Sequence, residues 1–470
     1  MSSLIYTGTI NIAVLNDTIV KPWNLVAVAV YLSLLEMGDF TMLERFFGLA
    51  EHGTDVRREL LAGLTTFLTM AYIIVVNPSI LSDTGMDWGA VFVATCLAAA
   101  LGCLIMGLYA NYPFGLAPGM GLNAYFTYGV VLGMGIAWPT ALGAVFLSGI
   151  LFLIISLLPI REWIINAIPL SLKMAISAGI GFFLAIIALK NAGVVVNSDA
   201  TLVTLGDLTS TTTLLAILGF VIMVGLSYRK IPGAVLIGIL AVSALGLPFG
   251  VAEFDGVVSM PPDPSPTFMQ MDIAGALELG LISVVLVFLF VDLFDSSGTL
   301  VGLSHRAGFL DSEGRLGRLR SALVADSGAS IGGAILGTST TTTYIESGAG
   351  VAAGGRTGLT AVVIAVLFLL SLFFLPLVSA IPAYATAPAL LFVACMMVRG
   401  LAELAWDDVT DTAPAVVTAI AMPLTYSIAD GMGLGFITYV LGKTLAGKFK
   451  EIHIAVWLIA ALFALKFALI

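Results

Sequence analysis

What this sequence lacks is charge. Only 10% of its 470 residues are Asp, Glu, Lys or Arg, against about 25% in an ordinary soluble domain. That shortage excludes a soluble globular fold. It carries no polybasic stretch and a formal charge of −10, so no nucleic-acid partner is expected. The three histidines, His52, His305 and His453, lie in or near loops, so no metal cluster and no cofactor are expected. The three cysteines, Cys96, Cys103 and Cys395, fall in apolar stretches, where small buried hydrophobes are the expectation rather than disulfides. No nucleophile–base or metal set is visible, which argues against an enzyme. The apolar runs are continuous rather than alternating, which excludes a β-barrel.

What is present is hydrophobic length. Apolar residues make up 59% of the chain, in runs that can cross about 30 Å of hydrocarbon as helix. The sequence predicts an all-α polytopic membrane protein. Its candidate spans are 60–81, 88–110, 113–131, 136–158, 170–190, 211–227, 231–249, 275–301, 320–336, 338–355, 357–380, 383–398, 412–427, 430–446 and 452–470. The last is read as either an extra span or a membrane-surface helix, and 412–446 as two spans or a pair that crosses once, for about fourteen crossings. Arg57, Arg58, Arg161, Arg229, Lys230, Arg306, Arg315, Arg318, Arg320, Arg356 and Arg399 fall on one side, predicted cytoplasmic. The loop 250–272 on the other side carries Glu253, Asp255, Asp263 and Asp272 without Lys or Arg. A multi-pass protein of the cell membrane, a bacterial inner membrane, follows as the expected location. Residues 1–41 lack the grammar of a span or a signal peptide. They read as an atypical extension, and as a candidate mis-assigned translation start.

The chain divides near 255 into halves, 42–255 and 256–470, each with a third span unlike the rest. In Asn111-Tyr-Pro-Phe-Gly-Leu-Ala-Pro-Gly-Met-Gly-Leu-Asn-Ala-Tyr-Phe126, Pro and Gly oppose continuous helix. In Gly337-Thr-Ser-Thr-Thr-Thr-Thr-Tyr-Ile-Glu346, a β-branched run favours extended chain. Irregular backbone at membrane depth survives only where it is buried or lines a cavity. Transporters with inverted repeats put such breaks at the substrate site. A second echo is a span pair with a tight, glycine-bearing turn in each half, at Arg229-Lys-Ile-Pro-Gly233 and Ile428-Ala-Asp-Gly-Met-Gly-Leu-Gly435.

Two carboxylates stand out there. Asp295, in Val291-Asp-Leu-Phe-Asp-Ser-Ser-Gly-Thr299, reads as the end of an apolar helix. Glu346 follows the extended run and precedes Ser347-Gly-Ala-Gly350, where a helix start would offer free N–H groups. An Asp at mid-bilayer costs about +2.5 to +3.5 kcal/mol on insertion scales, so such a group is a functional-site hypothesis. Two ring N–H donors on a carboxylate would fix a planar heterocycle. Asp295 itself, Asp292 three residues before it, and Asp430 at a span junction are candidates for proton coupling. Asn123 can both donate to and accept from a base edge. Thr66 lies with Thr65 and Thr69 on the first span. Phe294 and Tyr344, with Tyr72, Tyr125 and Phe126, are stacking candidates, and Thr343 lies in the extended run.

These motifs resemble the nucleobase–cation symporter 2 proteins, also called nucleobase–ascorbate transporters, and among them the AzgA-like purine permeases. The resemblance rests on Glu51-His-Gly-Thr-Asp-Val-Arg57, on Gly63-Leu-Thr-Thr-Phe-Leu-Thr-Met-Ala-Tyr-Ile-Ile-Val-Val-Asn-Pro78, on Pro118-Gly-Met-Gly-Leu-Asn-Ala-Tyr125, and on the stretches around Asp295 and Glu346. It covers residues 42 to 470. It implies fourteen spans as two inverted sevens, with short strands in spans 3 and 10. Spans 1–4 and 8–11 (about 60–158 and 275–380) would form a core that moves, elevator-like, against a gate. It implies import of hypoxanthine, guanine or adenine by proton symport. Glu346 and Asp295 would hold the purine, with Asn123 and Asp430 at positions matching important residues. Uracil or xanthine, another small anion on the same fold, and a non-transporting scaffold are the alternatives. A homodimer is a further expectation. Which carboxylate carries the proton stays open.

Overall fold

A computed structural model describes residues 41–158, 168–252, 254, 256–278, 281–310 and 316–469. The extension 1–40 therefore lies outside the described residues, as do Arg161, Arg315, Glu253 and Asp255. The chain forms two units, 1–46 and 47–470. Of the first, only the start of a short helix, α1 (Thr41–Phe47), is described.

The second unit is helical. Helix α2 (Val56–Met70) starts at Asp55, whose side chain accepts from the Arg58 N–H at 3.0 Å. A break at residues 71–72 leads into α3 (Ile73–Leu81), which carries Pro78. Helix α4 (Trp88–Ile105) is capped by Asp87, and widens into a π-helical turn that stops at Asn111, a left-handed residue. The third span then breaks as the sequence predicts. It contains strand β1 (Leu116–Pro118) and helix α5 (Met120–Ala124), which continues with π-helical geometry to Gly133. There follow α6 (Trp138–Leu157), α7 (Leu170–Asn191), a hairpin of β2 (Val195–Ser198) and β3 (Leu202–Leu205), α8 (Thr211–Tyr228) and α9 (Ala234–Gly246).

After the one-turn helix α10 (Ile273–Ala276), the second half repeats this order. It has α11 (Ile282–Ala307), α12 (Leu319–Leu336), a strand–helix break of β4 (Thr341–Thr343) and α13 (Ser347–Ala352), then α14 (Gly358–Ser371). The short α15 (Leu375–Ser379) precedes α16 (Ala383–Val398), α17 (Val409–Thr425) and α18 (Ile428–Leu445). Helix α19 (Ile454–Leu469) stands outside both series. Among the described residues, 8 helices of at least 18 residues are long and apolar enough to cross a bilayer, beside shorter apolar helices.

The two strands meet across the halves. They are antiparallel, with Leu116 opposite Thr343, Ala117 opposite Thr342 and Pro118 opposite Thr341. A two-stranded sheet leaves two open edges, which hydrocarbon cannot satisfy. Here side chains close them. The Leu116 N–H donates to Cys103 Sγ of α4 at 3.1 Å, and Ser330 Oγ of α12 donates to the Thr341 carbonyl at 2.9 Å.

Helices α2, α4, α6, α11, α12 and α14 surround this centre, with α12 against α4 and α6, and α14 against α2 and α4. A second group packs α7 on α16 and α17, α8 on α9 and α16, and α17 on α18. Buried Glu59 of α2 caps α14, accepting from the Arg356, Thr357 and Thr360 N–H groups. Below α17 and α18, Lys443 binds Asp411 at 2.9 Å and Glu451 at 3.0 Å. There Lys448 and Thr410 hold the Asp408 carboxyl well below the usual carboxylate range.

Two readings of the sequence need correction. Ser296-Ser-Gly298 does not end the helix at Asp295. Helix α11 runs on to Ala307, because the Ser296 hydroxyl finds buried carboxylates and the helix stays packed. The glycines 431, 433 and 435 lie inside α18 rather than in the second turn, which is made by left-handed Tyr426. They allow close packing: a Cβ at Gly435 would meet Thr418 of α17.

Candidate substrate site

Strand β4 organises the site. Each of its residues is tied to a different carboxylate. The Thr341 carbonyl accepts from Ser330, which also binds Asp292 at 3.0 Å. The Thr342 side chain lies beside Asp295. The Thr343 hydroxyl donates to Asp326 Oδ1 at 2.8 Å. Ser296 bridges the acids, 3.3 Å from Asp292 Oδ1 and hydrogen-bonded to Asp326. Asp326 lies fully buried in α12, in the stretch Leu323-Val-Ala-Asp-Ser-Gly-Ala-Ser330. Sequence reasoning missed it, although a lone carboxylate in a helix of small and apolar residues is the same energetic anomaly as Asp295.

The acids divide by access. Asp292 and Asp326 are sealed. Asp295 is exposed near the middle of a 26-residue helix, and Glu346 is half-buried. Asp292 and Asp295 thus share a helix side by spacing but not by environment. Beyond Asp295, Gly298 and Gly302 have nothing within 4 Å of where a Cβ would stand, and His305 and Arg306 are exposed. An open stripe therefore runs from Asp295 to the end of α11.

Glu346 stands at the start of α13. It does not cap that helix with its side chain. Its Oε1 accepts from the Tyr72 hydroxyl at 2.7 Å, across the break between α2 and α3. Asp295 lies within electrostatic range of it. Phe294, half-buried, stacks on Phe290 with centroids 6.0 Å apart.

The remaining expected residues are engaged elsewhere. Asn123 is fully buried and ties the two broken spans, accepting from Ser339, while its amide nitrogen has no partner. Tyr344 is buried, with its hydroxyl on the Pro118 carbonyl at 2.5 Å. Thr343 is turned to Asp326. Thr66 is buried beneath Gly350 of α13. Asp430 lies away from them and forms an ion pair with Lys466 of α19 at 2.8 Å.

The Permease family model (Xan_ur_permease) matches residues 57–434. The chain belongs to the nucleobase–cation symporter 2 family. The permease is 55% identical over 426 residues to a putative permease of Methanocaldococcus jannaschii, covering 90% of this chain and 98% of that one. It is 50% identical over 428 residues to the adenine permease AdeQ of Escherichia coli, covering 91% and 96%. It is 45% identical over 437 residues to the guanine/hypoxanthine permease PbuG of Bacillus subtilis, covering 90% and 99%. Among solved structures, the permease shares its fold with the transmembrane domain of the cyanobacterial bicarbonate transporter BicA. That match has TM-score 0.62 and 15% identity, over 80% of this chain and 96% of that one. Murine Slc26a9 in its inward-facing state matches with TM-score 0.60 and 10% identity, over 88% and 75%. The permease is a multi-pass membrane transport protein, not an enzyme.

Proposed function

We propose that the permease imports purine nucleobases, adenine, guanine or hypoxanthine, together with protons. The observation that carries this is the division of its acids: Asp295 and Glu346 are accessible beside the paired strands, whereas Asp292 and Asp326 are sealed behind them. The substrate class comes from the relatives, which are named as adenine and guanine/hypoxanthine permeases.

Glu346 accepts hydrogen bonds from ring N–H groups of the base, with Tyr72 fixing its carboxylate. The half-buried Phe294 borders the base. Asn123 and Tyr344 act indirectly, by holding the breaks in register. Asp295 is the acid that takes up and releases the transported proton, because it alone faces both the open stripe and β4.

Asp292 serves a different purpose. Ser296 and Ser330 have one hydroxyl hydrogen each, yet each faces two acceptors: Asp292 with Asp326, and Asp292 with the Thr341 carbonyl. The serines serve two of these four contacts, and a hydrogen carried by Asp292 serves one more. That hydrogen stays in place through the cycle.

The helices around the sheet form a core, and α7–α9 with α16–α18 form the gate. The core slides against the gate and carries the site across. The open stripe ends at Arg306, on the predicted cytoplasmic side, which fits an inward-open state. Uptake of labelled adenine into proteoliposomes under an imposed proton gradient, with guanine, hypoxanthine, xanthine and uracil as competitors, tests the reading. Competition by the purines named, and collapse of uptake with a protonophore, are expected. Preference for uracil, or uptake indifferent to the gradient, overturns it.

A further inference from the structure

Helix α19 lies outside the two series of elements, yet it is fastened to the gate at both ends. Where the chain turns from α18 toward α19, Lys443 binds Glu451 at 3.0 Å. Further along, Phe463 sits where a Cβ at Gly433 would meet its ring, and it stacks on Phe436 with centroids 6.4 Å apart. Near the far end, Lys466 Nζ reaches Asp430 Oδ1 at 2.8 Å. These contacts run α19 antiparallel beside α18.

The last contact joins two opposite charges, with 16% and 35% of their side chains exposed. Removing one partner leaves the other charge partly buried and uncompensated. Asp430 occupies the first turn of α18, where Ser427 accepts from its N–H at 3.1 Å and the helix start favours an anion. Lys466 and the helix start both engage Asp430. Helix α18 touches the π-helical segment Tyr125–Gly133 that follows α5, and α11, the helix that carries Asp295. In that segment Tyr125 is buried, its hydroxyl has no partner among the described residues, and Asp430 is in its electrostatic range.

We propose that Lys466 is a positioning residue of the transport cycle. From α19 it anchors the Asp430 side chain at the seam where the gate meets the sliding core, and so sets how that seam opens and closes. This rests on the transport reading above.

Uptake of adenine by proteoliposomes, with unfolding temperature measured in parallel, tests it. Lys466→Met is expected to lower the maximal rate about tenfold while KM stays within about twofold, since the site itself is untouched. Lys466→Arg should retain most of the rate. The double variant Lys466→Met/Asp430→Asn removes both charges and should regain most of the loss. Wild-type rates in Lys466→Met, or a double variant no faster than the single one, overturn the proposal. Should Lys466→Met fail to reach the membrane, the double variant still decides: recovery of insertion and uptake supports the pair, and failure of both overturns it. A rise in KM equal to the fall in rate would move Lys466 into substrate binding and also overturn it. Wild-type protein that takes up no nucleobase sinks the transport reading, and the role of Lys466 with it.

Discussion

At the scale of single residues, the acids of the site are unequal, and each predicts a different variant. Asp295→Asn should abolish accumulation against a gradient but spare exchange of labelled for unlabelled purine. Counterflow measured beside net uptake checks this, and intact accumulation would remove Asp295 from coupling. Asp292→Asn should keep uptake within about threefold of wild type, because an amide supplies the donor that the network needs. Asp292→Ala leaves Ser296 and Ser330 with a void and should destabilise by about 2–4 kcal/mol, read as a lower unfolding temperature. Equal loss in both Asp292 variants would contradict a resident hydrogen. Asp295 and Glu346 were legible in the sequence because each interrupts an apolar or extended run. Asp326 was not. It falls inside the predicted span 320–336, but its partners Ser296 and Thr343 come from distant parts of the chain, which no local pattern connects.

At the scale of elements, the broken spans were the most legible feature, since Pro, Gly and β-branched runs oppose helix for local reasons. Their register was not legible. Pairing of Leu116 with Thr343 depends on Cys103, Ser330 and Tyr344, which no local pattern connects. The sheet is closely fitted: a Cβ at Gly119 would stand 2.7 Å from Thr342 Cγ2. Gly119→Val should therefore displace Thr342 from Asp295 and cut uptake by about tenfold or more, with the protein still in the membrane. Uptake and surface abundance, measured together, separate this from a folding defect. The Ser-Ser-Gly stretch after Asp295 misled because weak helix formers there are sustained by tertiary hydrogen bonds rather than by propensity.

At the scale of the whole molecule, hydropathy revealed the spans, and charge asymmetry suggested their orientation. How α19 packs needed contacts that sequence does not display. The open stripe of α11 makes a molecular prediction. Cysteine placed at Gly298 or Gly302 meets no neighbour. It should react with a membrane-impermeant thiol reagent from the predicted cytoplasmic side, and bound adenine should slow the reaction at Gly298. Labelling from the opposite side alone would reverse the assigned state.

The central sheet also has a consequence for how the protein is made. β1 has one strand partner, and that partner is β4. A ribosome delivers the first half long before Thr343 leaves the exit tunnel. Until then, Leu116–Pro118 has no strand to pair with in a medium that offers no water to replace it. The first half must therefore wait in the membrane incomplete, sheltered by the insertion machinery or by its own helices. Truncation before β4 should leave a fragment that quality-control proteases recognise.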